Sequence, residues 1–133
     1  MSKWIVASIV WSVALAAACG GDAGSGVSGS KKLTSLSESE ITQLCEYTVS
    51  AEGPMRTVMC SGGSTITIGG TTVDECVTDV KDLATGAPNC AATVNDAEAC
   101  SEAFGDLSDA QLCATPFPAA CLPLLQCALG GGG

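Results

Sequence analysis

The chain has no histidine, and that absence removes a large part of enzyme chemistry. The usual general base, the Ser-His and Cys-His nucleophile pairs and the imidazole metal ligand are all missing. No serine stands in a G-x-S-x-G elbow either: Ser64 has Gly62 two places before it but Ile66 two places after it. Aromatic residues make up 4% of the chain, two Trp, one Tyr and two Phe, too few to build the stacking platforms on which sugar sites rely. Positive charge is as scarce. All fourteen acidic residues except Asp22 lie beyond Leu33, where Arg56 and Lys81 are the sole bases, and the whole chain carries −9. Affinity for phosphate backbones and anionic head groups rests on Lys and Arg clusters, so nucleic acid is excluded as a partner.

Cysteine, by contrast, is abundant: nine residues, none of them in a C-x-x-C pair, with Cys121 and Cys127 the closest together. A zinc site wants neighbouring thiolates that reach one ion, and a thiol redox site again favours C-x-x-C. Neither a metal nor another cofactor is therefore expected. Cys45, Cys60, Cys76, Cys90, Cys100, Cys113, Cys121 and Cys127 form an even set spread along the chain, the pattern of four structural disulfides in an exported domain. Eight cysteines allow 105 pairings, so the spacing does not decide the connectivity. The nearly regular intervals Cys45 to Cys60, Cys76 to Cys90 and Cys100 to Cys113 suggest sequential pairing as one guess. Cys19 is left over, and an odd cysteine in an exported protein needs an explanation.

The explanation lies in what precedes it. Lys3 is followed by an apolar run from Trp4 to Ala18 that ends in small residues, the order of a secretory signal over residues 1–18. The run is shorter than the roughly 20 residues a membrane-spanning helix needs, and no basic stop-transfer cluster follows it. One reading has a general signal peptidase cut after Ala18 and leave an ordinary thiol. In the other, Leu15-Ala16-Ala17-Ala18-Cys19 resembles the lipobox of bacterial lipoproteins, with Ala16 where a larger apolar residue is usual. That resemblance implies cleavage before Cys19 and three acyl chains on it, and two or more chains anchor stably to a bilayer.

Beyond the anchor, residues 20–32, GGDAGSGVSGSKK, read as a flexible Gly/Ser tether about 20 Å in extent. Residues 33–129 read as one small domain, and 130–133 as a disordered glycine tail. The domain keeps Tyr47, Phe104 and Phe117 as its aromatics, so its core must be Val, Leu, Ile, Ala and cystine. A domain of this size buries a modest fraction of its surface, which gives cross-links a physical use.

Four helix starts are legible. Ser37 and Glu40 form a capping box with Leu36 and Ile41 as a hydrophobic staple, and the helix should stop at Gly53-Pro54. Thr72 and Glu75 repeat the box, followed by Val73, Cys76, Val77, Val80 and Leu83 at helical spacing on one face. Asn95 and Glu98 open a third helix ending at Gly105, and Ser108 with Gln111 a short fourth. PFPAACLPLLQCAL predicts a last helical segment kinked or broken at Pro123. Between the first two helices, RTVMCSGGSTITI predicts a β-hairpin with a Gly62-Gly63-Ser64 loop that pairs Cys60 with Ile66 and Val58 with Ile68. The fold class is thus mainly α: a small disulfide-rich domain of four to five short helices with one β-hairpin. TVDEC at 72–76 echoes TVNDAEAC at 93–100, which suggests either a decayed helix-plus-return repeat or a shared need for caps. Glu75, Asp79 and Asp82 make an acidic stripe with no D-x-D-x-D-G loop, so a solvated helix face is favoured over a weak Ca²⁺ site.

LCEYTVSAEGP, ECVTDV, ATVNDAEACSEA and AACLPLLQC, behind a lipobox and a Gly/Ser tether, resemble the small cysteine-rich lipoproteins of gliding, predatory Gram-negative soil bacteria. The resemblance implies export and disulfides but transfers no activity. The resulting expectation is a non-enzymatic, lipid-anchored envelope protein, a monomeric structural or interaction module held at the outer membrane through Cys19, with Gly20 rather than aspartate behind the cysteine. It would meet a protein or other envelope partner. A small secreted effector or inhibitor is the alternative, and a hydrolase or redox enzyme the third.

Overall fold

Reciprocal side-chain caps open four helices of the computed structural model, which describes residues 24–114 and 117–130. Ser37 Oγ accepts from the Glu40 N–H (3.4 Å), and the Glu40 carboxylate accepts from the Ser37 N–H (2.8 Å), opening α1, Glu38–Glu52. Thr72 and Glu75 do the same for α2, Val73–Gly86. Ser108 and Gln111 open α4, Asp109–Ala114. For α3, Val94–Gly105, the box is Thr93 with Asp96, two residues upstream of the expected Asn95 and Glu98. Asp96 accepts from both the N–H and the hydroxyl of Thr93 at 2.8 Å, whereas the Asn95 N–H is already given to Gly29 and Glu98 is turned into the body. Pro123 does not break the last helix. It lies in the first turn of α5, Leu122–Ala128, where the N–H it lacks would have had no helical partner.

The hairpin pairs β1, Arg56–Met59, with β2, Thr65–Ile68, in antiparallel register. Its loop has the expected three residues but is Ser61-Gly62-Gly63, so Val58 faces Ile66 rather than Ile68. Gly62 and Gly63 have φ of +114° and +84°, and the Gly63 N–H closes the turn on the Cys60 carbonyl at 3.1 Å. Both left-handed positions thus fall inside the loop on glycine, and Ser64 is spared one. The slip is two residues in the partner strand, so every side chain keeps its face.

The core forms where α1 meets α3. On α1 the buried residues are Ile41, Leu44, Cys45 and Thr48; on α3 they include Val94, Ala97, Glu98 and Ser101, one stripe at helical spacing. Val27, Leu33, Cys90, Ala92 and Cys127 close the cluster from the flanking segments.

Val27 belongs to the stretch expected to be a tether, and that expectation is corrected: from Gly24 onward the stretch is part of the folded body. Glu98, 7% exposed, accepts the N–H groups of Gly24 (2.9 Å) and Ser25 (2.8 Å). The carbonyls of Lys31 and Gly29 accept the N–H groups of Val94 and Asn95 at 2.9 Å, satisfying two first-turn donors of α3. Lys32 bridges Thr93, and Lys31 pairs with Glu40 at 2.7 Å. Glycine here serves close approach, not looseness: a Cβ on Gly29 would sit 2.0 Å from the Asn95 side chain.

All eight domain cysteines are joined, as four disulfides: Cys45–Cys76, Cys60–Cys113, Cys90–Cys127 and Cys100–Cys121. None joins the neighbours that sequential pairing suggested. Each bond links elements that meet in space: α1 to α2, the hairpin to α4, the loop before α3 to α5, and α3 to the 3₁₀ turn Ala119–Cys121. The echo between α2 and α3 therefore extends to their capping boxes but not to a disulfide-closed repeat.

Candidate functional site

α2 leans on α1 and on the 3₁₀ turn Leu33–Ser35, and none of its residues is buried. Part of its apolar stripe, Cys76, Val80 and Leu83, lines a cleft instead. The cleft has a volume of about 300 Å³ and is walled by Cys76, Val80 and Leu83 of α2, Leu44 and Thr48 of α1, and Ala97, Cys100 and Phe104 of α3, with Leu33 and Leu124 at its ends. That volume is at the lower end of the range for small-molecule sites. A second cavity of about 180 Å³, lined by Ile68 and Gly69 of the hairpin side, adjoins it. Glu52 and Phe104 line both.

The polar side chains lining the cleft are Glu52, Ser101, Thr48, Thr71 and Asp79. Glu52 occupies the last position of α1 and is half-buried, with the Ser101 hydroxyl donating to it at 3.4 Å. Burial pushes its carboxyl above the ordinary value, outweighing the opposite pull of that hydrogen bond. The ion pairs among the described residues use other carboxylates: Glu40 with Lys31, Asp109 with Arg56 and Glu38 with Lys81. Phe104, next to Glu52 in the cavity wall, stacks edge-on with Phe117 at a centroid distance of 5.9 Å. The arrangement thus offers one desolvated acceptor, one aromatic ring and an aliphatic trough.

The residues singled out in the sequence are scattered. Cys19, the expected lipid attachment point, lies outside the described residues, as do residues 1–18 of the expected signal. Of the acidic stripe, Asp79 lines the cleft, Glu75 accepts the N–H and hydroxyl of Thr72, and Asp82 lies on the exposed side of α2. Among the described residues no group of three or more His, Cys, Asp or Glu side chains is placed to hold a metal ion. Glu52 and Ser101 escaped sequence reasoning because nothing local marks them. Glu98 carried a signal: it shares the helical stripe of Val94, Ala97 and Ser101, a core position that a carboxylate occupies only with donors to meet it.

Four disulfides point to an oxidising, extracytoplasmic compartment. Among the described residues no helix is long and apolar enough to cross a membrane. No protein-family model matches the chain, and no curated protein or solved structure matches it.

Proposed function

We propose that the protein is a lipid-anchored envelope protein, held at the outer membrane through Cys19, whose disulfide-braced domain acts as a non-enzymatic structural or interaction module. The observation that carries this reading is the cysteine count. Of nine cysteines eight are joined within the domain, so Cys19 is the one left for a thioether to lipid. The order of residues before it supports the same reading, with an apolar run and Leu15-Ala16-Ala17-Ala18 at the cut.

The folded body bears on how such an anchor works. Only residues 20–23 lie between Cys19 and Gly24, whose N–H is already held by Glu98 of the folded body. Five Cα–Cα steps reach about 18 Å at most, so the domain rides close to the bilayer rather than on a long leash. The acidic surface opposes contact with anionic head groups, and the lipid alone supplies the attachment.

The test is an intact mass of the protein extracted from its own membranes, with thiols alkylated before and after reduction. The expected result is a chain beginning at Cys19 with added acyl mass, and eight cysteines alkylated only after reduction. A chain without acyl mass overturns the anchor and favours a secreted effector or inhibitor. Domain thiols that react without reductant overturn the braced module.

A further inference from the structure

We propose that the cleft between α1, α2 and α3 is a binding site for a small apolar cation, a primary ammonium on a compact hydrocarbon body, with Glu52 as its counter-ion. This goes beyond the anchored-module reading, because the cleft lies within the folded body whether or not Cys19 carries lipid.

Three observations converge on this occupant. The trough is aliphatic along most of its length and about 300 Å³ in volume, which suits a compact hydrocarbon. At the point where it meets the second cavity stands Glu52, half-buried and drawn into none of the ion pairs among the described residues. A carboxylate withdrawn from water in this way gains from a donor that also carries positive charge, since the Coulombic attraction of the pair adds to the hydrogen bond and is stronger there than in bulk water. Phe104 lines the same two cavities, and a cation over an aromatic face is attracted further. The Ser101 hydroxyl, buried and donating to Glu52, holds the carboxylate toward the cleft. The α2 wall can adapt. α2 has no buried residue and, of its cleft-lining side chains, Leu83 is packed against the core while Val80 is not, so a small shift of Val80 disturbs little packing.

The experiment is calorimetric titration of the oxidised full chain with cyclohexylmethylamine and, separately, with the neutral cyclohexylmethanol. The amine is expected to bind about tenfold more tightly than the alcohol, the ratio of one hydrogen bond to a charged group. Glu52→Gln should erase that preference while leaving alcohol binding unchanged, whereas Asp79→Asn, at the exposed carboxylate that also lines the cleft, should leave the preference intact. Glu46→Gln, an exposed carboxylate remote from the cleft lining, should leave the preference intact and so exclude a general attraction to an acidic protein. Val80→Trp, filling the trough from its half-exposed wall, should weaken both probes. Equal binding of amine and alcohol, or binding of neither, overturns the proposal, as does a preference that survives Glu52→Gln.

Discussion

α2 and α3 start with the same device and end in opposite situations. Each opens on a threonine whose hydroxyl accepts an N–H from three residues on while the carboxylate there reaches back. α2 carries the more regular apolar stripe, Val73, Cys76, Val77, Val80 and Leu83, yet none of its residues is buried. α3 is rich in alanine and has a glutamate in its stripe, yet Val94, Ala97, Glu98, Cys100 and Ser101 are all buried. The difference is in the neighbours. α3 is packed by α1, by residues 24–32 and by the turn before α5; α2 leans on α1 and the turn Leu33–Ser35, packs Leu83 against the core and leaves Cys76 and Val80 lining a cleft. Periodicity states which face a helix can bury, and the surroundings decide whether it is buried.

The comparison predicts different modes of failure. Leu44, 1% exposed at the centre of the α1–α3 core, should cost about 3 kcal/mol of global stability as Leu44→Ala. A denaturation midpoint close to wild type would mean that cross-links rather than packing hold even this half. Removing the Cys45–Cys76 bond as a double alanine variant should cost about 2–4 kcal/mol, but the loss should be confined. Amides of 73–86 should exchange with solvent much faster while those of 94–105 stay protected, and equal loss in both would erase the contrast.

Glu98→Ala should cost about 2 kcal/mol by leaving two backbone donors of the N-terminal segment unmet. Residues 24–32 should then become sensitive to limited proteolysis while α1 stays intact; a protease-resistant segment would show that Val27 and the Lys32–Thr93 bridge suffice. Smaller still are the caps, at about 1 kcal/mol each. Thr93→Ala should lower the global unfolding midpoint, whereas Thr72→Ala should only fray the first turn of α2 in amide exchange. The two variants behaving alike would count against the division.

The smallest effect is one of pH. Burial raises the Glu52 carboxyl in the folded state, so its contribution to stability is present below the ordinary glutamate value of about 4.3 and is lost as pH rises through the raised value. Glu38, Glu40 and Glu75 run the other way: hydrogen bonds from Lys81, from Lys31 and from the Thr72 N–H lower them. Their contribution is present above the ordinary value and is lost as pH falls below it through the lowered ones, the opposite side from Glu52. Glu52→Gln should therefore be slightly more stable than wild type at pH 7, with the gain gone at pH 3, as read from urea midpoints. A variant less stable at pH 7 would mean that the Ser101 hydrogen bond outweighs the burial.

Legibility followed the range of the interactions. The caps Ser37–Glu40, Thr72–Glu75 and Ser108–Gln111 are contacts between residues three apart, so the sequence displays them directly. The loop length and the faces of the hairpin follow from period-two alternation; the exact loop residues required knowing which two would take positive φ. Two misreadings had one cause. Gly29 reads as slack and Glu98 as a cap because their partners, Asn95 and the Gly24–Ser25 backbone, lie more than sixty residues away. The cleft is of the same kind, since Glu52, Val80 and Phe104 meet only after three helices have docked.

The sequence by itself determined a mainly helical, cross-linked domain with one hairpin, because local caps, periodicity and an even set of eight cysteines need no knowledge of the fold. Only the tertiary structure decided which cysteines join, which helix is buried, and that residues 24–32 belong to the folded body. Those are questions of which surfaces meet across long stretches of chain, and closing such loops takes entropy that is recovered only when the whole body packs at once.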